Sequence, residues 1–357
     1  MVFEKDIVAV SIPFSAGVAM MAAMPSGIEM SLHIAAISQL AAASLLVMLC
    51  MSRRDIPAIP VLFFMLGISC CSNGILFPAA DDTQCAIVSD AIVWLHGRID
   101  GTGMGEDATA LMKALLTGNR QWLGRETTEA FRSSGASHIL ALSGLHLGII
   151  YAILHKALSA LGNGRAAFIS RSVIILATCS FYAAMTGAGP SVTRALLFIY
   201  INELSSNAPG RKKKSSSVLL TAMMLQLFFR PLVIRTLAFQ LSYLAMAGII
   251  FVYPRLKGWF PERMAGSYPG LLWESLAMSI SCQLFTAPLI WYRFGTFPTF
   301  FMLTNLIALP LAEAFIILAV ILICPLTPGW LCVITKSLAE SICQTLIFCM
   351  ETIASLT

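Results

Sequence analysis

The chain has 357 residues, of which 58% are hydrophobic and 11% charged, and its formal net charge is +5. Soluble domains carry roughly 25% charged residues, so this composition excludes a soluble globular protein. Apolar windows of about 20 residues, enough to cross a bilayer as a helix, recur between short polar breaks. We therefore predict an all-α fold: a polytopic transmembrane helix bundle with about ten or eleven spans.

The first apolar window resembles a signal peptide in position, but it is as long as a full span and further spans follow it at once. We interpret it as a retained helix. In chain order, the predicted spans are residues 7–24, 31–51, 56–77, 137–160, 166–186, 190–206, 215–234, 236–254, 271–292, 299–323 and 330–354.

Basic residues concentrate in four short loops. They are Arg53 and Arg54, Arg165 and Arg171, Arg211 to Lys214, and Arg255, Lys257 and Arg263. With eleven spans these loops share one side of the membrane, which the positive-inside rule makes cytoplasmic. This predicts a cytoplasmic N-terminus and a C-terminus on the other side.

The hydropathy pattern divides the chain into three parts. Residues 1–80 form an N-terminal three-helix transmembrane region, residues 81–136 a short extracytoplasmic or interfacial segment, and residues 137–357 a second transmembrane domain. Residues 105–132 fit an amphipathic helix, with apolar positions spaced between charged ones. We predict that this segment lies over the mouth of the bundle.

The densest polar cluster at membrane depth opens the fourth predicted span. His138, Ser143 and His146 lie within nine residues of an otherwise apolar run. On one continuous helix Ser143 and His146 share a face, which could line a pore. The alternative is that the histidines donate to neighbouring carbonyls and only hold helices together.

A second cluster lies in the run Thr186-Gly-Ala-Gly-Pro-Ser-Val-Thr-Arg194. Glycine and proline here predict an interrupted helix near residues 187–191, with Pro190 at the start of the next helix. The free N-terminus at Gly189 and Ser191 carries partial positive charge, and Arg194 adds a full charge one turn along. This arrangement favours an anion site, suited to a phosphate. The alternative is a tight hairpin turn with Arg194 extended to the interface.

Further uncharged polar groups occur in later spans, namely Gln240, Ser242 and Asn305. Each taken singly is typical of helix-to-helix hydrogen bonding. The ten cysteines include no C-x-x-C pair, and no zinc, cofactor or nucleotide-binding motif is present. We expect no cofactor and no enzymatic activity.

These motifs resemble those of the ComEC-type competence family. The resemblance rests on Ser137–Gly148, Gly187–Ala195, Ala238–Ala245, Gln283–Pro288 and Asn305–Pro310 in that order, over about residues 105–325. It implies an inner-membrane channel that passes single-stranded DNA into the cytoplasm during natural transformation. The motif positions matched are His138, Ser143, Gly144, His146, Gly189, Pro190, Ser191, Arg194, Gln240, Ser242 and Asn305.

The chain also departs from the family pattern. Many members carry an OB-like domain after the third span and a metallo-β-lactamase-like domain after the last, and neither is recognisable between residue 77 and Ser137 or before Thr357. The resemblance therefore implies a minimal channel core, an incomplete member or a divergent relative. Its implied partners are single-stranded DNA, membrane lipid, an extracytoplasmic DNA receptor, a cytoplasmic helicase-like motor and a separate nuclease.

Two other functions are compatible with the same residues. A transporter of a small phosphorylated or anionic solute would use the Arg194 site. An intramembrane serine hydrolase would use Ser143 with a nearby imidazole, although its oxyanion donors are unspecified.

Overall fold

The computed structural model describes residues 2–24, 28–51, 58–76, 86–141, 143–162, 164–206, 214–261, 266–295, 300–325 and 327–356. Within these ranges the chain forms helices and turns, without a strand. The α-helices are α1 (Val2–Ala23), α2 (Ile28–Met51), α3 (Ala58–Leu76), α4 (Ala86–Asp100), α5 (Glu106–Thr117), α6 (Arg125–Ser133), α7 (Ser137–Leu140), α8 (Gly144–Leu158), α9 (Arg165–Met185), α10 (Pro190–Ser206), α11 (Ser215–Phe229), α12 (Leu237–Phe251), α13 (Tyr253–Lys257), α14 (Tyr268–Phe294), α15 (Phe301–Ile323) and α16 (Gly329–Ala354). Short 3-10 segments cover Ser159–Leu161 and Pro231–Arg235.

Five of the described helices are long and apolar enough to cross a membrane, namely α1, α3, α9, α15 and α16. Shorter apolar stretches lie in α2, α8, α11 and α12. The predicted spans 190–206 and 271–292 coincide with α10 and α14. The prediction of an all-α polytopic membrane protein is confirmed, and each predicted span overlaps a helix of the structure.

The helices group into two compact units. The first comprises Met1–Thr83 with Leu197–Met246, and the second Gln84–Leu196 with Ala247–Thr357. The predicted boundaries at residues 80 and 136 stay predictions. So does the cytoplasmic side, because most of the basic loop residues, among them Arg53, Arg54, Arg211 and Arg263, lie outside the described residues.

In the first unit, α1 and α3 pack together through paired glycines. A methyl group on Gly17 would overlap the backbone oxygen of Phe64, and one on Gly67 would overlap the backbone oxygen of Phe14. Small residues let membrane helices approach backbone to backbone, where dispersion and weak Cα–H contacts hold them together. At the end of α1, Arg235 Nε donates to the Ala22 oxygen over 2.7 Å.

In the second unit, the largest apolar core is built by α4 to α7 with α15 and α16. Thr304 Oγ1 donates to the Ser134 oxygen over 2.7 Å, close to the start of α15. Arg98 Nη2 donates to the Ile323 oxygen over 3.2 Å, at the end of α15. At 1.5 Å per residue these two contacts are about 28 Å apart along α15. The chain between Arg98 and Ser134 therefore follows the length of this helix.

Helix α5 differs from the predicted amphipathic surface helix, because nine of its twelve residues are buried. Leu111, Leu115 and Phe131 lie in the core, and Lys113 is buried as well. Its ammonium pairs with Asp100 over 2.6 Å and lies 4.6 Å from the centre of the Trp122 ring. These partners compensate for the loss of hydration, since a buried charge without partners is costly. The placement of residues 81–136 at the extracytoplasmic face stays a prediction.

The glycine pair predicts a strong response to small substitutions. We expect Gly17→Ala or Gly67→Ala to lower the thermal unfolding midpoint of the purified full chain, because the added methyl forces α1 and α3 apart at a cost of about 1–3 kcal/mol. Gly148→Ala is the matched control, since a methyl at this helical position meets nothing within 4 Å. Equal midpoints for Gly17→Ala and Gly148→Ala would contradict the proposed packing.

Candidate anion site

The predicted fourth span, residues 137–160, is two helices rather than one. The one-turn helix α7 ends at Leu140, and Ala141 is extended with ψ 127° before α8 begins at Gly144. The prediction that His138, Ser143 and His146 occupy one continuous helix was therefore wrong. Ser143 has φ −110° and ψ 164°, which places it in the N-cap position instead of on a helical face. Leu142 lies outside the described residues.

Ser143 and His146 form a capping box at the start of α8. The Ser143 hydroxyl oxygen accepts from the Leu145 N–H over 3.2 Å, and the Ser143 N–H donates to His146 Nδ1 over 3.1 Å. The third contact joins Ser143 Oγ and His146 Nδ1 at 3.0 Å. Histidine here takes the place that glutamate or glutamine usually occupies in this motif. Since Nδ1 accepts a backbone hydrogen bond, the neutral imidazole carries its proton on Nε2.

Five buried polar atoms of the second unit have no hydrogen-bond partner among the described residues. They are His146 Nε2, Arg171 Nε, Tyr182 Oη, Gln283 Nε2 and Asn305 Oδ1. His146 itself is only 2% exposed. Buried polar atoms in native proteins are normally paired with protein or water, so each of these atoms is a candidate for contact with water or a ligand.

The predicted interruption near residues 187–191 is confirmed. Helix α9 ends at Met185, and the Ala188 N–H donates to the Ala183 oxygen over 2.8 Å while the Gly187 N–H donates to the Ala184 oxygen over 3.1 Å. This is a Schellman motif, with Gly187 at φ +72° where a glycine is favoured. Ala188 follows at φ +46°.

Helix α10 begins directly after this turn. The Thr193 N–H donates to the Gly189 oxygen over 2.9 Å, so Gly189 is the N-cap residue and Pro190 the first helical residue. Glycine offers no side chain to accept the first N–H groups of the helix. The backbone at Ser191 and Val192 therefore keeps its capacity to bind an anion.

Gly144 brings the two helix starts together. A methyl group on Gly144 would lie 3.1 Å from Ala195 Cβ, 3.3 Å from Arg194 Nη2 and 3.5 Å from the Ser191 oxygen. The first turn of α8 thus packs on the first two turns of α10, and the Arg194 guanidinium lies at their contact. Two positive helix ends and one full positive charge occupy the same small region.

We define the candidate anion site by Ser143, Gly144, His146, Ser191 and Arg194. It combines partial charges from backbone N–H groups, a guanidinium with a planar set of donors, and the buried His146 Nε2–H. Such groups bind phosphate or carboxylate oxygens. Among the described residues, no group of three or more His, Cys, Asp or Glu side chains could hold a metal ion.

The other predicted site residues lie elsewhere. His138 Nδ1 is 3.1 Å from the Gly135 oxygen and its side chain is exposed. Gln240 and Ser242 belong to the first unit, where Gln240 Nε2 donates to the Ile234 oxygen over 2.8 Å. Asn305 lies in the first turns of α15, next to Thr304. The structure thus brings together only part of the predicted set.

Sequence reasoning missed the charged groups around α4 and α5. Lys113 interrupts the apolar run Ala110–Leu116, and this interruption is the signal that could have identified it as a buried cation with a partner. Nearby, His96 Nε2 lies 3.2 Å from Thr117 Oγ1. Burial, together with the Lys113 charge, lowers the pKa of His96 below its ordinary value.

Comparison with known proteins agrees with the sequence motifs. The chain is 29% identical over 204 residues to ComE operon protein 3 of Bacillus subtilis (strain 168), an alignment that covers 57% of this chain and 25% of that protein. It is 26% identical over 221 residues to Competence protein ComA of Neisseria gonorrhoeae, an alignment that covers 59% of this chain and 30% of that protein. An uncharacterized protein of Aquifex aeolicus (strain VF5) is 29% identical over 189 residues, an alignment that covers 52% of this chain and 40% of that protein.

The matched segment spans less than half of each of these relatives. No solved structure matches the chain. The sequence model of the family described as Competence protein matches residues 115–357, which include the whole candidate anion site. Since this match extends over more than half of its length, the chain belongs to the Competence protein family.

Proposed function

We propose that this chain forms a channel in the bacterial inner membrane through which single-stranded DNA enters the cytoplasm during natural transformation. The observation that carries the proposal is the contact of α8 with α10 at Gly144, which gathers two helix N-termini and Arg194 at one place. Membership of the Competence protein family, together with a relative named as a competence protein, supports a role in competence, the uptake of DNA by cells.

A DNA strand that moves through a channel must be attracted by the channel wall but not held tightly. Each nucleotide carries a negative phosphate, so a path through the membrane needs positive potential along it. A tight cage of cations would stall the strand, because conduction requires sites that bind weakly enough to release. Helix ends with one guanidinium supply attraction without a cage.

The proposed channel acts with other proteins. The sequence contains no P-loop, so we expect a cytoplasmic helicase-like motor to supply the energy. An extracytoplasmic receptor would deliver the DNA and a separate nuclease would degrade the other strand. In this arrangement the N-terminus is cytoplasmic.

A second candidate function is transport of a small phosphorylated or anionic solute. The same site favours it, because a guanidinium and two helix starts bind a single phosphate as well as a phosphodiester. The two functions differ in whether the path must admit a polymer.

The hydrolase alternative uses the 3.0 Å contact between Ser143 Oγ and His146 Nδ1. A general base must reserve its lone pair for the hydroxyl proton. Here Nδ1 also accepts the Ser143 N–H, and the hydroxyl oxygen accepts the Leu145 N–H. Both atoms are explained by helix capping, so we propose a structural role for the pair and no catalysis.

Reversal of the charge at Arg194 tests the DNA path. We expect Arg194→Glu to reduce uptake of labelled DNA into the cytoplasm at least about tenfold, the effect of 1.4 kcal/mol, and Arg194→Lys to retain part of it. Arg293→Glu, at an exposed position in the last turn of α14, is the matched control and leaves uptake unchanged. Normal uptake by Arg194→Glu at wild-type protein level would refute the proposed path.

Substitutions that preserve the capping box distinguish a structural role of Ser143 and His146 from a catalytic one. Asparagine caps helices as well as serine, and glutamine is the usual partner in the box, so we expect Ser143→Asn and His146→Gln to retain the unfolding midpoint. Ser143→Ala should lose about 1 kcal/mol of stability. A Ser143→Asn protein that is stable but inactive in uptake would show that the hydroxyl is required for more than capping and would overturn the purely structural role of the pair.

Reconstitution distinguishes polymer from small-solute transport. We expect vesicles containing the full chain to admit labelled single strands when these are driven across the membrane, with Arg194→Glu inactive. The Arg293→Glu protein serves as the control again. Flux of small phosphorylated solutes without any flux of single strands would favour the second candidate.

A further inference from the structure

A groove separate from the candidate anion site lies in the second unit, between α4 and α16. It encloses about 320 Å³. The lining residues are Gly97, Arg98, Gly101, Thr102, Leu322, Cys332, Val333 and Lys336. Two of them are cationic and none is acidic. We call it the Arg98–Lys336 groove.

Both cations are held in place by backbone oxygens. Arg98 Nη2 donates to the Ile323 backbone oxygen over 3.2 Å, and Lys336 Nζ donates to the Gly103 backbone oxygen. Gly103 has φ +64°, so the turn that presents its oxygen to Lys336 favours a glycine. A guanidinium has five N–H donors and an ammonium three, so these bonds orient the cations without using all of their donors.

Two acidic residues close in sequence to the groove lining, Asp100 and Glu340, have partners of their own. Asp100 pairs with Lys113 over 2.6 Å. Glu340, one turn along α16 from Lys336, accepts the Gly105 N–H over 3.1 Å. The lining itself therefore holds two cations and no carboxylate, and the Asp100 and Glu340 carboxylates are engaged in contacts with other groups.

Exposed apolar side chains border the groove on both sides. On α4 they are Val93 and Trp94, which are 71% and 57% exposed. On α16 they are Trp330, Val333 and Ile334, which are 66%, 70% and 50% exposed. In a membrane protein such surfaces face lipid chains, and tryptophan is enriched at the level of the headgroups. Cations beside such a surface fit a lipid phosphate.

We propose that the Arg98–Lys336 groove binds the phosphate of an anionic membrane phospholipid, whose acyl chains lie along α4 and α16. The end of α15 at Ile323 places the groove where a spanning helix meets the headgroup region. This proposal does not depend on the cargo of the channel, because it involves none of the residues of the candidate anion site.

The test measures lipid retention by the full chain purified in a non-ionic detergent, by native mass spectrometry. The probes are phosphatidylglycerol and phosphatidylcholine with identical acyl chains. We expect phosphatidylglycerol to be retained preferentially, and the double variant Arg98→Gln, Lys336→Gln to weaken its binding at least about tenfold. The double variant Lys156→Gln, Arg293→Gln removes two exposed cations elsewhere and is the matched control.

Competition distinguishes the sources of phosphate. If oligothymidylate displaces phosphatidylglycerol from the wild type but not from the double variant, the groove binds nucleic acid and the lipid proposal is overturned. If inorganic phosphate binds as tightly as the lipid, acyl contacts contribute nothing and the lipid proposal again fails. Equal retention of the two lipids would also refute it.

If the double variant does not fold, the two single variants test the proposal in its place. With unfolding midpoints near that of the wild type, Arg98→Gln and Lys336→Gln should each reduce phosphatidylglycerol binding severalfold. Unchanged binding in both single variants would overturn the proposal.

Discussion

The close approach of α8 to α10 at Gly144 is the contact on which the candidate anion site depends. With a hydrogen in place of a side chain, the start of α8 comes within van der Waals reach of Arg194 and Ala195. This contact converts two separate helix starts into one region of positive potential. A larger residue would push the starts apart and leave two weaker sites, because the field of a helix end falls off within about one turn.

Glycines serve the same purpose elsewhere in the bundle. Gly17 and Gly67 join α1 to α3, and Gly248 meets the backbone of α14 at Ser281 in the same way. Lipid chains are as apolar as leucine, so burial of apolar surface does little to hold membrane helices together. Close packing between the helices must hold them together instead. The small residues therefore determine which helices meet, and through them where polar groups lie.

Two buried polar side chains of the second unit differ in how far protein partners compensate for their lost hydration. Lys113 is fully compensated by Asp100 and Trp122, which indicates a structural role. His146 is compensated on one ring nitrogen only, and its buried Nε2–H has no protein partner among the residues that the structure describes. The second arrangement is typical of sites that meet water or a ligand. Electrostatic attraction at such sites is stronger than in water, since the surroundings are poorly polarisable.

The sequence by itself determined the all-α membrane fold, the positions of most of its apolar helices and the helix break before Pro190, because hydropathy, glycine and proline act locally. It did not reveal that Ser143 is a cap, because a one-turn helix and its successor look like a single apolar run. Only the tertiary structure decided that Arg194 lies against Gly144, while Gln240 and Ser242 belong to another unit. Which helices meet depends on surface shape over distances that no local pattern of residues records.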